Sequence, residues 1–226
     1  MKKILKTKEK GNLIVISGPS GAGKGTIISK LKEINDNFWL SISMTSRAIR
    51  SNDIPDETYF FVSKEEFEKR IEDGVFLEYA LYNGNYYGTP KDKIVDKLNQ
   101  GIDVILEIEI QGALKVQELV PDAIFIFILP PSMGELRRRL VARGTDTVDK
   151  ILDRFKTAYQ EVNEITKYNY VVVNDEVDTA VRKVNAILLS ERCRVDRIEE
   201  IYTNNLEEEL HELLIEKNLS NEDRLI

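Results

Sequence analysis

Residues 13–26 read Leu-Ile-Val-Ile-Ser-Gly-Pro-Ser-Gly-Ala-Gly-Lys-Gly-Thr, and this stretch decides the fold. Its first five residues, Leu13 to Ser17, form a continuous apolar run rich in β-branched side chains, which is typical of a buried parallel strand. A glycine-rich turn follows directly. The residues after the turn predict an amphipathic helix, whose apolar face is formed by Ile27, Ile28, Leu31 and Ile34.

The glycine-rich turn has the chemistry of a phosphate-binding loop. Glycines let the backbone curl tightly, so that several N–H groups and the helix N-terminus point at one anion. The pattern G-x-x-x-x-G-K-[ST] is met except at its last position, where Gly25 stands and Thr26 follows. Lys24 is therefore expected to reach the β- and γ-phosphates, and the Thr26 hydroxyl to bind Mg²⁺. The alternative is a glycine turn without a ligand, but a chance match in this strand-turn-helix context is rare. The residues predicted to bind the nucleotide phosphates are Gly18, Pro19, Ser20, Gly21, Ala22, Gly23, Lys24, Gly25 and Thr26.

The rest of the chain predicts an α/β fold. Apolar runs at 104–110, 123–129 and 170–173 also have the character of buried strands, and helical stretches separate them. This alternation predicts a parallel sheet flanked by helices. Short aromatic-rich pieces in 41–90 favour a small mixed sheet inserted into that core. Capping-box patterns begin at Ser63 and Ser132, and Thr89-Pro90 predicts an N-cap followed by proline at the first helical position.

Composition narrows the classes of function. The formal net charge of −7 argues against a general nucleic-acid binder. Cys193 is the only cysteine, which excludes an intrachain disulfide and favours a reducing compartment, and His211 is the only histidine, which leaves little for a catalytic triad or a histidine zinc site. The apolar run at 13–16 is too short to span a bilayer, and we interpret the chain as cytoplasmic, without a membrane or nucleic-acid partner.

A series of motifs in order carries a family resemblance over residues 11–190. They are SGPSGAGKGT (17–26), SMTSRAIR (43–50), YFFVSKEEF (59–67), FLEYALYNGNYYGTP (76–90), LEIEIQGA (106–113), FILPPS (127–132), RRRLVARGTDT (137–147) and VVVND (171–175). The series resembles the guanylate kinase family of P-loop nucleoside monophosphate kinases.

The resemblance implies a P-loop kinase core, an inserted GMP-binding subdomain and a helical lid. The implied boundaries are core 11–40, 91–134 and 159–190, GMP-binding subdomain 41–90, lid 135–158 and C-terminal extension 191–226. The implied activity is transfer of the ATP γ-phosphoryl group to GMP, and to dGMP, in purine nucleotide metabolism and GMP recycling. A kinase of another monophosphate and a non-catalytic scaffold domain are the rival hypotheses. Glu78 argues against the first, and the retained Lys24 and arginines argue against the second.

The GMP site implied by the resemblance combines cations for the phosphate with acids for the base. Arg47, Arg50, Tyr59 and Tyr87 correspond to the family's phosphate ligands; the alternatives are a solvated charge pair for the arginines and a core aromatic for Tyr59. Glu78 and Glu109 correspond to its guanine-binding acids, because a carboxylate matches the N–H edge of guanine and leaves adenine unpaired. Ser43 and Thr89 correspond to hydroxyls at the base edge. For Thr89 the helix cap is an alternative, and for Glu109 an exposed strand face.

The resemblance also implies the groups that close over ATP. Arg139, Arg143 and Arg154 correspond to the catalytic lid arginines, together with Lys24 and Arg47; a charged surface helix is the alternative. Mg²⁺ is expected to arrive with ATP, with Thr26 as its protein ligand and Glu107 behind it. Asn174 and Asp175 correspond to the adenine-side loop, but an ordinary turn is an equal interpretation.

Two segments depart from the resemblance. The loop 51–58 lacks the family's glycines and has Thr58 in place of an acid, which brings the loop's mobility into question. The tail 191–226 lies outside the resemblance. Its leucine stripe favours packing or an oligomer contact, so a homo-oligomer stays open. The stripe consists of Leu206, Leu210, Leu213 and Leu214.

Overall fold

The computed structural model describes residues 8–50, 53–82, 84–142 and 148–200, together with Leu214. The strands are β1 Lys8–Glu9, β2 Leu13–Ser17, β3 Phe38–Leu40, β4 Met44–Thr45, β5 Phe60–Phe61, β6 Phe76–Tyr82, β7 Asn85–Pro90, β8 Asp103–Glu107, β9 Ile124–Leu129, β10 Tyr170–Val173 and β11 Ile198–Glu200. The α-helices are α1 Lys24–Ile34, α2 Lys64–Glu72, α3 Asp92–Asn99, α4 Ile110–Leu119, α5 Met133–Ala142, α6 Val148–Val162 and α7 Val177–Arg192. Short 3₁₀ helices cover Asn163–Lys167 and Val195–Arg197.

A five-stranded parallel sheet forms the centre of the fold, in the order β10-β9-β2-β8-β3. β2 lies in its middle, and all five of its residues are buried. Side chains alternate across a strand, so Ile14 and Ile16 face α1 and α7 whereas Leu13 and Val15 face α3 and α4. This two-sided burial explains why the strand is a continuous apolar run, and it confirms the predicted parallel sheet flanked by helices.

α1 confirms the predicted helix with one exception on its apolar face. Ile27, Ile28 and Leu31 are buried against the sheet, but Ile34 is 57% exposed. Ile34 is the last residue of the helix, where the chain turns away from the core. The periodic pattern therefore predicted the burial of Ile34 wrongly.

The second sheet is small and mixed, in the order β5-β4-β7-β6. β4 runs parallel to β5 and antiparallel to β7, which is paired with β6 in a hairpin. Phe67 from α2 is fully buried against it, stacked on Phe76 and Tyr86 with ring centroids 4.5 and 5.2 Å away. The inserted mixed sheet is thus confirmed, and its small core consists of the aromatic residues that make 41–90 distinctive.

The helix starts test the capping predictions. The Ser63 and Ser132 hydroxyls accept hydrogen bonds from the backbone N–H groups three residues later, at 3.1 Å each, as predicted. The prediction at Thr89 is wrong. Thr89 and Pro90 end β7, and α3 begins only at Asp92. Pairing of β7 with β6 holds Thr89 in extended backbone, and its hydroxyl donates to the Glu78 carboxylate instead of capping a helix.

The two ends of the described chain meet. β1 pairs with β11 in a two-stranded antiparallel sheet. Of the leucine stripe, Leu206, Leu210 and Leu213 lie outside the described residues, and Leu214 is exposed. In the described ranges, no helix has both the length and the apolar character needed to cross a membrane.

The aromatic stack on α2 predicts a stability effect. Phe67→Ala should lower the free energy of unfolding by about 3–5 kcal/mol, because it removes a fully buried ring and leaves a cavity. Urea denaturation measures the change. The control is Leu81→Ala in the same sheet, which removes an exposed side chain and should cost less than about 0.5 kcal/mol. Equal costs for the two variants would contradict the proposed core of the small sheet.

Candidate active site

The turn between β2 and α1 forms a tight loop against the neighbouring strand. Gly18 has φ 140°, and a side chain on it would lie 2.2 Å from the Ile128 carbonyl oxygen of β9. Gly23 has φ 96° and would collide with Asn174 Nδ2 at 2.3 Å. Only glycine allows both the left-handed backbone and these close approaches. Leu136 and Leu140 of α5 lie over Gly21, so the loop is supported on three sides.

The ammonium of Lys24 lies inside the loop. Lys24 is the first residue of α1 and is buried, and its Nζ donates to the carbonyl oxygens of Gly18 at 2.5 Å and Pro19 at 3.4 Å. The helix N-terminus and the ammonium are both positive where the backbone is most concave. The loop is therefore prepared for an anion.

An open cleft of about 300 Å³ joins this loop to the end of β8. Glu107 is the last residue of β8, and Glu109 is the N-cap of α4. The carboxyl ends of parallel strands are where α/β folds bind ligands. Because Glu109 caps a helix, the alternative of an exposed strand face does not apply to it. Burial raises the pKa of the Glu107 carboxyl, with Lys24 opposing this effect. The cleft is lined by Ser20, Gly21, Gly23, Lys24, Gly25, Thr26, Glu107 and Glu109.

Two arginines of the predicted lid contact the same loop. Arg139 of α5 donates to the Ala22 carbonyl at 3.3 Å and the Asn174 carbonyl at 2.9 Å. Arg154 of α6 donates from Nη2 to the Ser20 hydroxyl. Both side chains therefore contact a loop that is distant in sequence, which a helix with a purely solvent-exposed charged face would not do. Arg143 lies outside the described residues.

Glu135 orients the α5 arginines. Its carboxylate accepts from Arg138 and from Arg139, the latter at 2.8 Å. These two guanidiniums hold the pKa of Glu135 at about 2, Arg138 contributing most. Arg138 is thus paired within its own helix, although its side chain remains largely exposed.

Asn174 and Asp175 have different surroundings. Asn174 is buried and donates from Nδ2 to the Ala22 carbonyl at 2.7 Å, so its amide supports the phosphate loop. Asp175 is exposed, and its carboxylate accepts from the backbone N–H of Glu176 in a turn. Asp175 therefore lies in a local turn, whereas Asn174 is joined to the loop.

The small sheet supplies a second cationic site. Arg47 is buried, with its guanidinium carbon 5.3 Å from the ring centroid of Tyr59, and the Tyr59 ring lies edge-on to Tyr87 at 6.0 Å. Burial raises the pKa of the Tyr59 hydroxyl, which keeps it protonated as a donor. Arg50 is exposed, and Ser43 is half-buried just before β4. The structure thus brings Arg47, Tyr59 and Tyr87 together.

Glu78 and Thr89 form a buried pair on the hairpin. Thr89 donates to Glu78 at 2.6 Å, and both side chains are less than a tenth exposed. Burial raises the pKa of Glu78, and the Thr89 bond partly opposes this. A side chain on Gly112 of α4 would lie 2.9 Å from Glu78 Oε2, so the second carboxylate oxygen fits only beside a glycine.

Several residues at the site were not identified from the sequence. Gly112 leaves room for Glu78, Asp53 pairs with Arg47, and Glu161 lies within electrostatic reach of Glu109 and Lys24. The position of Gly112 inside the LEIEIQGA motif was the available signal. Asp53 and Glu161 gave no comparable signal, because each depends on contacts made by folding.

Oxygen donors suited to a hard cation are present beside the loop. Thr26 lies in the first turn of α1, and the Glu107 carboxylate would be 3.6 Å from a side chain on Gly25. Hydroxyl and carboxylate oxygens match the preference of Mg²⁺, which keeps several waters and needs few protein ligands. Within the described part of the chain, no group of three or more histidine, cysteine, aspartate or glutamate residues could enclose a metal.

The comparisons with known proteins agree with this geometry. The guanylate kinase family model matches residues 10–191. The chain is 55% identical over 206 residues to a guanylate kinase of Clostridium tetani, covering 91% of this chain and 99% of the relative. It is 54% identical over 201 residues to that of Caldanaerobacter subterraneus subsp. tengcongensis, covering 89% and 98%. A crystal structure of guanylate kinase from Anaplasma phagocytophilum aligns with a TM-score of 0.73 and 33% identity, covering 85% of this chain and 92% of that one.

Glu161 predicts a pH effect on stability. Burial, with Glu109 adding to it and Lys24 opposing it, raises the pKa of Glu161 to about 7. The folded state therefore holds a proton that the unfolded state loses near pH 4.5, and this contribution declines as the pH rises towards and past 7. From pH 5 to pH 8 the parent should lose unfolding free energy that Glu161→Gln keeps. The difference in unfolding free energy between variant and parent should therefore shift by about 1 kcal/mol in favour of the variant, a value reduced by solvent screening.

Urea denaturation at the two pH values measures this gain. Glu118→Gln, an exposed change on α4, should give the same difference from the parent at both pH values. A Glu161→Gln difference that does not change with pH would contradict the burial of a protonated carboxyl.

Proposed function

The chain belongs to the guanylate kinase family, and we propose that its cleft transfers the γ-phosphoryl group of ATP to GMP, producing ADP and GDP. The observation that carries this proposal is the match over residues 10–191 combined with an intact phosphate loop around Lys24. Domains that keep the fold but lose the chemistry would be expected to damage that loop. We extend the proposal to dGMP, because the groups assigned here to base and phosphate are directed at parts that both nucleotides share.

ATP would bind with its phosphates on the 18–26 loop. The backbone N–H groups and the ammonium of Lys24 neutralise the β- and γ-phosphates, and Lys24 exchanges its present carbonyl acceptors for phosphate oxygens. Arg139 and Arg154 already contact the loop, so both can move onto the transferring group over a short distance. Arg143 is assigned to the same task, and Asn174 and Asp175 to the adenine side.

GMP would bind over the small sheet. Arg47, Arg50, Tyr59 and Tyr87 would hold its phosphate, through guanidinium and hydroxyl donors. Glu78 would accept from the N1–H and N2–H₂ edge of guanine, with Thr89, Ser43 and Glu109 completing the base contacts. The carboxylate of Glu78 already has one donor in Thr89, so a purine that offered it an acceptor would leave a buried charge poorly paired.

Mg²⁺ is the proposed cofactor, held by the Thr26 hydroxyl with Glu107 behind it. When bound with ATP, it neutralises charge on the phosphates. This chain's own residues align the two substrates and exclude water. The acceptor phosphate is already an anion, so no side chain is needed to activate it. We assign residues 11–40, 91–134 and 159–190 to the core, 41–90 to the GMP side, 135–158 to the lid and 191–226 to the extension.

Lys24→Ala tests the phosphate loop. We expect kcat for GDP formation to fall about 10²- to 10³-fold, because a preorganised cation at the transferring phosphates is lost. A coupled ADP-release assay measures the rate. The control is Lys32→Ala, an exposed residue of the same helix, which should keep the parent rate. Unchanged activity in Lys24→Ala would refute the assignment of this loop.

Comparison of acceptors tests the guanine site. The parent protein should turn over GMP far faster than AMP, UMP or dTMP. Glu78→Gln should lower kcat/KM for GMP about 10- to 100-fold, because one amide hydrogen then faces the donor edge of guanine. Faster turnover of AMP than of GMP by the parent would favour a different monophosphate kinase.

A further inference from the structure

Asp53 forms a two-point ion pair with Arg47. Arg47 Nη1 donates to Asp53 Oδ2 at 2.8 Å and Nη2 to Oδ1 at 3.1 Å, and both side chains are only 9% exposed. The backbone N–H of Arg50 also donates to Asp53 Oδ2, at 2.6 Å. One carboxylate therefore joins both arginines of the proposed phosphate site. It lies in the 51–58 loop, which departs from the family pattern.

The remaining donors of Arg47 define an open edge. A guanidinium has five hydrogens; Asp53 takes two, and the Ala48 carbonyl takes a third from Nη1 at 2.7 Å. The hydrogens on Nε and the second one on Nη2 have no acceptor in the described part of the chain. Those two hydrogens are parallel and form the side-on fork of the guanidinium, which matches two oxygens of one phosphate.

Two functions for Asp53 have opposite consequences. If its carboxylate occupied the position of the acceptor phosphate, GMP would have to displace it, and removing the carboxylate would strengthen GMP binding. Displacement would break the two Arg47 bonds and the Arg50 backbone bond inside a largely dry site. Because the side-on fork is open while all three bonds are made, phosphate can bind with Asp53 in place.

We propose that Asp53 is a positioning residue. Its carboxylate binds Nη1 and Nη2 of Arg47, so that the Nε and Nη2 edge of the guanidinium faces the phosphate of the acceptor nucleotide. This inference rests on the proposed function, because it takes GMP as that nucleotide. Asp53 also neutralises part of the charge on a buried guanidinium, and Arg47 in turn holds the pKa of the Asp53 carboxyl below its usual range. The rings of Tyr59 and Phe61, 5.3 and 5.5 Å from the guanidinium carbon, restrict the remaining freedom of Arg47.

Asp53→Asn tests the proposal, because it keeps the shape and replaces one acceptor oxygen by a donor that repels Nη1 or Nη2. Calorimetry should show GMP binding at least fivefold weaker and guanosine binding within twofold of the parent, since guanosine lacks the phosphate. In turnover assays KM for GMP should rise, with KM for ATP within twofold. Asp53→Glu, which restores the charge, should recover part of the GMP affinity.

The matched control is Asp56→Asn. Asp56 lies in the same loop, is exposed and has φ 66°, a conformation that asparagine accepts. It should bind GMP and guanosine as the parent does. GMP affinity that is unchanged or increased in Asp53→Asn would overturn the proposal and favour a displaced carboxylate. Equal weakening for GMP and guanosine would also overturn it, because the loop would then act only as structural support.

The proposed function and this inference fail in different experiments. Absence of GMP turnover by the parent protein would refute the function. Calorimetric binding of GMP and guanosine to the two variants needs no turnover, and tests the positioning of Arg47 separately.

Discussion

The rest of the structure depends on the close approach of the glycine backbone in the 18–26 loop to the neighbouring strand and to Asn174. Gly18 lies against the carbonyl of Ile128, and Gly23 lies against Asn174, so the loop after β2 closes within the end of the sheet. This placement sets the N-terminus of α1 and the ammonium of Lys24 directly over the carboxyl ends of the central strands. Glu107 and Glu109 then lie at the same edge of the sheet, in the cleft that the loop lines.

The cations of the candidate site each have partners within the protein. Lys24 binds a loop carbonyl, Arg139 binds carbonyls of Ala22 and Asn174, and Arg47 binds Asp53. Buried cations without partners would cost several kcal/mol each. In the proposed function, Lys24 would exchange neutral carbonyl acceptors for phosphate oxygens, and so would the Arg139 nitrogens that bind Ala22 and Asn174. For Arg47, whose partner is a carboxylate with its own backbone bond, the pairing is the more durable one.

Local patterns predicted much of the fold. The bounds of β2 and β10 follow from their apolar runs, and the two serine caps follow from local hydrogen bonding. Thr89 was assigned wrongly as a cap because strand pairing overrode a local helix signal. The candidate site was predictable where a motif carries it, as for Lys24 and Glu78. It was not predictable for Asp53 or Glu161, because the environment of Asp53 arises from the folding of a loop and that of Glu161 from its approach to Glu109 and Lys24, which are distant in sequence.

The pairing of β1 with β11 has a consequence for the order of biosynthesis. Glu9 pairs with Ile198, which leaves the ribosome about 190 residues later. The short sheet that they form therefore closes only after every strand of the central sheet has been translated. The edge of β1 must wait in the meantime with its backbone groups hydrated, and Lys10, directly after the strand, provides charge that discourages a foreign strand from adding there.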